Sequence, residues 1–148
     1  MKIELASMQS AASAENLVIF FVESPGSPAP LGQGIDHAIL EHAVAAAKKE
    51  NFAGKLGETL SIYRNDKMRL IAVGVGKQEQ LKAASFKKAA AAAAKKCAAL
   101  KAASAHVVLP RVKNIDTALL AHAVAEGAEL ATYEFTKYRS KNEGNGKL

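Results

Sequence analysis

The hydrophobic pattern begins with a run of bulky apolar residues, Leu17–Val22, that no polar residue interrupts. Such a run is typical of a strand buried on both faces of a sheet, so we predict a strand over residues 16–22. Residues 59–63 and 68–73 are also rich in apolar and β-branched side chains. The short polar link at 64–67 between them predicts an antiparallel hairpin. Two shorter strands are predicted around Ile3 and Leu5 and at His106–Leu109, the latter ended by Pro110.

Elsewhere the apolar positions recur every three or four residues, which predicts three helices. The first runs from about Gln33 or Asp36 to Lys49, the second from about Glu79 to Ala103, and the third begins near Asp116 or Thr117. The second helix should bury the face formed by Phe86, Ala89, Ala90, Ala93, Cys97 and Leu100. The third should bury the face formed by Leu120, Ala123, Val124, Gly127, Leu130 and Ala131.

Gly127 stands in the middle of the apolar face of the third helix. Glycine there costs about 1 kcal/mol relative to alanine, so we expect another element, in our interpretation a sheet, to approach the helix backbone closely at this point. The chain after Lys141 is polar and rich in glycine and asparagine. We therefore predict one domain over residues 1–141, with 142–148 as the start of a linker.

Length and composition fit a single packed domain. The chain has 148 residues, of which 49% are hydrophobic, enough to bury a sizeable core. The alternation of strands and helices, with one hairpin among them, predicts an α/β fold in which helices flank a mixed sheet. No apolar stretch approaches the roughly 20 residues of a membrane span, and the N-terminus lacks the apolar core of a signal peptide. With Cys97 as its single cysteine, the chain is predicted to be cytoplasmic, without a membrane partner.

The positive charge is concentrated in the second two thirds of the chain. The formal net charge is +6, with −4 over residues 1–47 and +10 over residues 48–148. A basic region can attract nucleic acid or an acidic partner. We favour the interpretation that these lysines are the solvated faces of helices, with nucleic-acid binding as the alternative.

Three blocks carry a resemblance to a known family. They are Phe52-Ala53-Gly54-Lys55-Leu56-Gly57-Glu58, Arg69-Leu70-Ile71-Ala72-Val73-Gly74-Val75-Gly76-Lys77, and Glu126-Gly127-x-x-Leu130-Ala131-x-Tyr133-x-Phe135-x-x-Tyr138-x-Ser140-Lys141. In this order and spacing the blocks resemble the N-terminal domain of the leucyl (cytosol) aminopeptidases. The resemblance covers nearly the whole chain. It does not extend to the catalytic signatures of the family, which lie in a larger C-terminal domain.

The resemblance implies a three-layer fold related to macro domains. It also implies a parent protein that removes N-terminal residues from peptides with two divalent metals (Zn²⁺, Mn²⁺ or Mg²⁺), which the missing catalytic domain holds. This chain would then contain no catalytic residue and no metal ligand. Its partners would be its own catalytic domain and the other subunits of a hexamer, and its role would be structural.

Two alternative functions remain open. The turn predicted at Gly74, Gly76 and Lys77 lies between a strand and a helix, where backbone N–H groups can hold a phosphate. Kinship with macro domains would make the ligand ADP-ribose or another nucleotide, although the glycine spacing matches neither a dinucleotide fingerprint nor a P-loop. The other alternative is DNA binding, which some bacterial members of the family show. Lys137, Arg139 and Lys141, beside the aromatic residues of the third helix, are its candidates.

Metal and nucleophile motifs are absent from the sequence. His37 and His42 flank Glu41 but are five residues apart, which turns them about 140° from each other on a helix. The three aspartates are far apart along the chain, so the paired carboxylates of a two-metal site are not predicted. Cys97 falls on an apolar helix face and is predicted to act as a small buried hydrophobe.

Overall fold

A computed structural model of the chain describes the backbone of residues 2–5, 15–24, 28–31 and 35–146, and the side chains of these residues outside 2–5 and 132–146. Its centre is a six-stranded mixed sheet with the order β1-β6-β2-β5-β4, and β3 pairs with the end of β2. The strands are β1 (Lys2–Leu5), β2 (Asn16–Glu23), β3 (Ala29–Leu31), β4 (Thr59–Tyr63), β5 (Arg69–Lys77) and β6 (Ser104–Val107).

Strand direction explains the mixed character of the sheet. β2 is parallel to both β5 and β6, and β1 is parallel to β6. β4 is antiparallel to β5, as the predicted hairpin requires. The Asn65 side chain shapes the turn, since its Oδ1 accepts hydrogen bonds from the backbone N–H groups of Lys67 and Met68 at 2.9 and 3.0 Å.

Within the described ranges, three helices cover the two faces of the sheet. They are α1 (His37–Lys49), α2 (Ala83–Ala99) and α3 (Thr117–Gly146), and a short 3₁₀ turn, Gln78–Gln80, precedes α2. Two of them begin at the predicted aspartates. Asp36 Oδ1 accepts from the Ala38 N–H at 2.8 Å, and Asp116 Oδ1 accepts from the Ala118 N–H at 2.7 Å, which satisfies N–H groups that lack a partner within the helix.

The core lies on both faces of β2, as its unbroken apolar run predicts. Leu17, Ile19 and Phe21 point toward α1, whereas Val18, Phe20 and Val22 point toward α2 and α3. Each side of the strand contributes one aromatic contact. Phe20 meets Phe86 of α2 edge-on with ring centroids 5.3 Å apart, and Phe21 meets Phe52 in the same way at 5.5 Å. The molecule is therefore a three-layer α/β structure.

Several predicted boundaries were wrong. α2 begins at Ala83 instead of Glu79, because residues 78–80 form the 3₁₀ turn. β6 begins two residues earlier than predicted and ends at Val107. The last helix continues through residues 142–146, which the sequence assigned to a linker. Extending an existing helix costs far less than nucleating one, so the unfavourable glycines there do not end it. The predicted domain limit itself stays a prediction.

Two residues of the predicted helix faces are less buried than predicted. Leu100 packs against the core but is only partly buried, and Leu130 is 47% exposed. The buried stripe of α3 passes through Ala128 instead, so the flank that carries Leu130 opens onto a groove between α2 and α3.

Candidate functional site

The segment Gly74–Lys77 is not a turn but the end of β5. The loop of residues 52–58 crosses directly over it. Gly74 N–H donates to the Glu58 carbonyl at 2.8 Å, and Gly76 N–H donates to the Gly54 carbonyl at 3.1 Å. The amides of both glycines are therefore engaged by protein carbonyls. The prediction of a turn was wrong, because a glycine pair after an apolar run also fits a strand crossed by another backbone.

Steric contact explains why glycine occupies position 74. A Cβ atom built there would lie 2.1 Å from the Lys55 carbonyl oxygen and 2.3 Å from the Gly54 carbonyl carbon. The loop is fixed in turn by Glu58, whose Oε1 accepts from the backbone N–H groups of Ala53, Gly54 and Lys55 at 3.0–3.2 Å. Residues 52–58 and the end of β5, which belong to two of the blocks that resemble the family, thus form one packed structural element.

The Gly127 prediction was right about the close approach and wrong about the neighbour. A Cβ atom at Gly127 would lie 2.1 Å from the Lys87 carbonyl oxygen and 2.9 Å from the Lys87 carbonyl carbon. The approaching backbone is therefore that of α2, not a strand. Glycine lets the two helices pack nearly backbone to backbone.

A charged cluster bridges α2 and α3 beside this contact. Lys87 Nζ lies 2.9 Å from Glu126 Oε1, and His122 Nε2 lies 3.3 Å from Glu126 Oε2. The hydrogen bond from Lys87, followed by its positive charge and that of His122, lowers the pKa of the Glu126 carboxyl group. The cluster is not apparent from the sequence, because Lys87 lies 35 or more positions from His122 and Glu126. An ionised carboxylate that accepts a hydrogen bond from Lys87 of the other helix is suited to holding the two helices together.

The histidines do not converge. His37 forms an exposed contact with Glu41 at 2.8 Å, whereas His42 Nε2 donates to the Tyr63 carbonyl at 3.0 Å. Among the described residues no three His, Cys, Asp or Glu side chains lie close enough to hold a metal ion. His37 and His42 are thus used separately, one on the helix surface and the other at the sheet edge.

Cys97 is buried, as predicted, with 1% of its surface exposed. Burial raises the pKa of its thiol to about 11, although the charge of Arg69 acts in the opposite direction. A nucleophilic cysteine needs a lowered pKa and access to solvent. Cys97 has neither and serves as a core residue.

Two further predictions concern surfaces. Lys137, Arg139 and Lys141 lie within α3, but their side chains fall outside the described residues, so DNA binding through them stays a prediction. In the part of the chain that the structure describes, no helix is both long and apolar enough to cross a bilayer.

Comparison with known proteins decides the family. A family model for the N-terminal domain of the cytosol aminopeptidase family matches residues 18–142. The chain belongs to this family. Two curated relatives, both described as probable cytosol aminopeptidases, come from Aquifex aeolicus (32% identical over 132 residues) and Nostoc punctiforme (34% over 128 residues). The matches cover 87% and 84% of this chain but only 26% and 25% of the relatives. The chain thus spans about a quarter of the length of the cytosol aminopeptidases it matches.

Solved structures show the same fold. The bottromycin maturation enzyme BotP matches with a TM-score of 0.64 and 24% identity, over 86% of this chain and 25% of that protein. A tomato leucine aminopeptidase mutant matches with a TM-score of 0.64 and 21% identity, over 88% of this chain and 28% of that one. BotP has also been solved in complex with Mn. The cytosol aminopeptidase family assignment and the α/β fold therefore agree, and neither the comparisons nor the described residues support the nucleotide or DNA alternatives.

Proposed function

We propose that this chain is the non-catalytic N-terminal domain of a leucyl aminopeptidase, a metal-dependent hydrolase that releases N-terminal amino acids from peptides. The observation that carries the proposal is the family match over residues 18–142, made by a chain that spans only a quarter of its relatives. In the parent protein the domain packs on its own catalytic domain and supports assembly into a hexamer.

The chemistry of the described residues supports a structural role. Hydrolysis by two metals requires ligands that converge on two cations about 3.5–4 Å apart. The ionisable side chains described here pair two or three at a time, and the largest group, Lys87, Glu126 and His122, joins two helices. Two divalent metals (Zn²⁺, Mn²⁺ or Mg²⁺) would belong to the catalytic domain, in keeping with the Mn complex of BotP.

The glycine contacts also support a scaffold. Gly74 and Gly127 are both closed by backbone atoms of neighbouring elements, and the thiol of Cys97 is inside the core. These two glycines, which lie in blocks that resemble the family, therefore serve packing. We also propose a cytoplasmic location, which the names of the cytosol aminopeptidase relatives support.

The proposal is tested on the polypeptide that carries this sequence in its native cell. An antibody against the 148-residue chain should detect a protein of roughly 510 residues, about three and a half times the length of this chain, because the aligned 132 and 128 residues make up 26% and 25% of the relatives. That protein, once purified, should release leucine from leucyl amide. A chelator should abolish the release, and Mn²⁺ or Zn²⁺ should restore it.

Two results would contradict the proposal. One is a native polypeptide of 15.5 kDa, and the other is a large polypeptide that releases no leucine with any of the three metals. The structural role is tested separately by deleting residues 1–148 from the parent. We expect the oligomer to dissociate or lose stability, and a deletion that leaves both unchanged would argue against that role.

A further inference from the structure

The two edge strands of the described sheet differ in how well their sequences discourage pairing with a strand of another molecule. β1 and β4 are the outer strands. β1 carries Lys2 and Glu4, and charged residues are a common device against pairing with a foreign strand. β4 has the sequence Thr-Leu-Ser-Ile-Tyr, without a charged residue or a proline. Such an uncharged strand, rich in β-branched and aromatic side chains, is well suited to accept another strand.

Hydrogen bonds to β5 reveal which groups of β4 face outward. Gly74 N–H donates to the Glu58 carbonyl, and Arg64 N–H donates to the Met68 carbonyl. Antiparallel partners alternate between bonded and non-bonded pairs, so Leu60 and Ile62 also direct their backbone groups to β5. The backbone groups of Thr59, Ser61 and Tyr63 therefore point away from the sheet.

One of these outward groups already has a partner. The Tyr63 carbonyl accepts the hydrogen bond from His42 Nε2 at 3.0 Å, which confirms its direction. Among the described residues, the other outward groups of β4 (the amides of Thr59, Ser61 and Tyr63 and the carbonyls of Thr59 and Ser61) have no hydrogen-bond partner. The second lone pair of the Tyr63 carbonyl is also available.

We propose that β4 is a self-association edge, at which two copies of this chain pair their β4 strands antiparallel about Ser61. In this register Ser61 lies opposite Ser61 of the second copy, and Thr59 lies opposite its Tyr63. All three pairs join outward-facing residues, as a ladder of bonded pairs requires. A two-fold interface in which the same strand serves both partners is self-complementary and closed.

Charge supports the same register. The residues that flank β4 are Glu58 and Arg64, and pairing about Ser61 sets Glu58 of each copy opposite Arg64 of the other. Glu58 Oε1 accepts hydrogen bonds from three backbone N–H groups. Its Oε2 is therefore left for the guanidinium group of Arg64 in the second copy. Opposite charges on facing strands stabilise the pair.

Tyr63 is held in place for a cross-strand contact. Its ring is 70% exposed, and the Arg69 guanidinium lies 4.9 Å from the ring centroid. Arg69 Nη2 also donates to the Tyr63 hydroxyl at 2.8 Å. In the proposed dimer this ordered ring lies beside Thr59 of the second copy, and aromatic side chains pair well with β-branched ones across strands.

The inference goes beyond the proposed function and does not depend on aminopeptidase activity, so it is tested on the 148-residue chain itself. Sedimentation equilibrium should show a concentration-dependent dimer. Ser61→Pro should raise the dissociation constant at least about tenfold, because each copy loses a donor at the centre of the ladder. No described residue bonds to the outward amide of Ser61, so this proline is tolerated at an edge. Ser61→Thr is the matched control and should dimerise like the original chain.

Cross-linking tests the register directly. Bonded antiparallel residues have Cα atoms about 5.5 Å apart, within disulfide range. Ser61→Cys should therefore form a covalent dimer under mild oxidation, whereas Asp66→Cys at the hairpin turn should not. Buried Cys97 does not compete.

Three results would overturn the proposal: a chain that remains monomeric at all concentrations, a dimer that Ser61→Pro leaves unchanged, or equal cross-linking of the two cysteine variants. The variant Ser61→Lys distinguishes pairing between two copies of this chain from pairing with a strand of another protein. Two facing lysines should abolish self-association, and a Ser61→Lys chain that still dimerises would also count against the register.

Discussion

The two helical layers of this domain cover the same sheet with different side chains. On one face α1 and the loop after it bury Ile39 and Phe52 against the sheet, together with Ala43 and Ala47. On the other face α2 and α3 contribute mainly alanine, together with Phe86, Leu120 and Val124. The first layer gains its stability from the apolar area of each side chain, and the second gains it from close approach of two backbones.

The difference predicts where the fold tolerates change. Large side chains on the α1 side can repack after a substitution, since their rotamers offer some freedom. The α2–α3 contact has no such freedom, because a backbone carbonyl already occupies the space above Gly127. An added methyl group should therefore be costly in the α2–α3 layer, and four experiments test the contrast.

Removal of the aromatic anchors should have the largest effect. Phe86 is fully buried between α2 and β2, and Phe52 is 4% exposed on the other face. Phe86→Ala and Phe52→Ala should each lower the free energy of unfolding by about 3–5 kcal/mol. Phe86→Ala should cost more, because its alanine neighbours are too short to fill the cavity. Urea denaturation measures both values, and a larger loss for Phe52→Ala would contradict the contrast.

Gly127→Ala should lower the free energy of unfolding by about 2–3 kcal/mol. Helix propensity alone predicts the opposite sign, a gain of about 1 kcal/mol. The steric cost of the added methyl group should exceed the gain in helix propensity, because the Lys87 carbonyl would have to move. Glu129→Ala, at an exposed position of the same helix, is the control and should change stability by about 0.5 kcal/mol or less. A stabilised Gly127→Ala protein would show that the helices can move apart freely.

Alkaline pH should destabilise the domain through Cys97. The folded thiol has a pKa raised from 9.0 to about 11. Between these two pH values the folded state keeps the thiol proton, whereas the unfolded state releases it. The stability contributed by the neutral thiol is present below pH 9.0 and is lost as pH rises toward 11, by up to about 2 kcal/mol. Denaturation of the original chain and of Cys97→Ala over this range measures it. Identical pH dependence of the two proteins would contradict the assignment.

The smallest effect should come from the Lys87–Glu126–His122 cluster, which is partly exposed. The pKa of Glu126 is lowered, chiefly by the hydrogen bond from Lys87. Its stabilising contribution is therefore present above the unfolded pKa and disappears as pH falls through the folded value. Glu126→Gln should reduce the Tm slightly at neutral pH and low salt, and the difference should vanish in acid and in high salt. Glu129→Gln is the matched control, and an equal change in both would argue against the cluster.

Local signals predicted the elements of the fold well. The unbroken run of β2, the aspartates that begin α1 and α3, and the hairpin of β4 and β5 all follow from short stretches of sequence. The buried state of Cys97 follows from its position on an alanine-rich face. These features depend on contacts with neighbours in the chain or on simple periodicity.

Long-range contacts were not predictable. Gly127 indicated a close neighbour, but nothing in the sequence told a helix from a sheet as that neighbour. Gly74 and Gly76 looked like a phosphate turn because the crossing loop of residues 52–58 is not visible in the local pattern. Leu130 followed the apolar period yet lies at a groove, since the direction from which α2 packs decides which flank of α3 is buried. In each case the decisive partner is distant in the sequence.

The most direct test of the account uses the purified 148-residue chain without any other protein. The chain is incubated with leucyl amide and with Mn²⁺, Zn²⁺ or Mg²⁺ in turn, and free leucine is measured over time. A chain whose ionisable groups serve packing should release no more leucine than the metal alone. Leucine release that rises in proportion to the concentration of the chain and co-purifies with it would contradict the account.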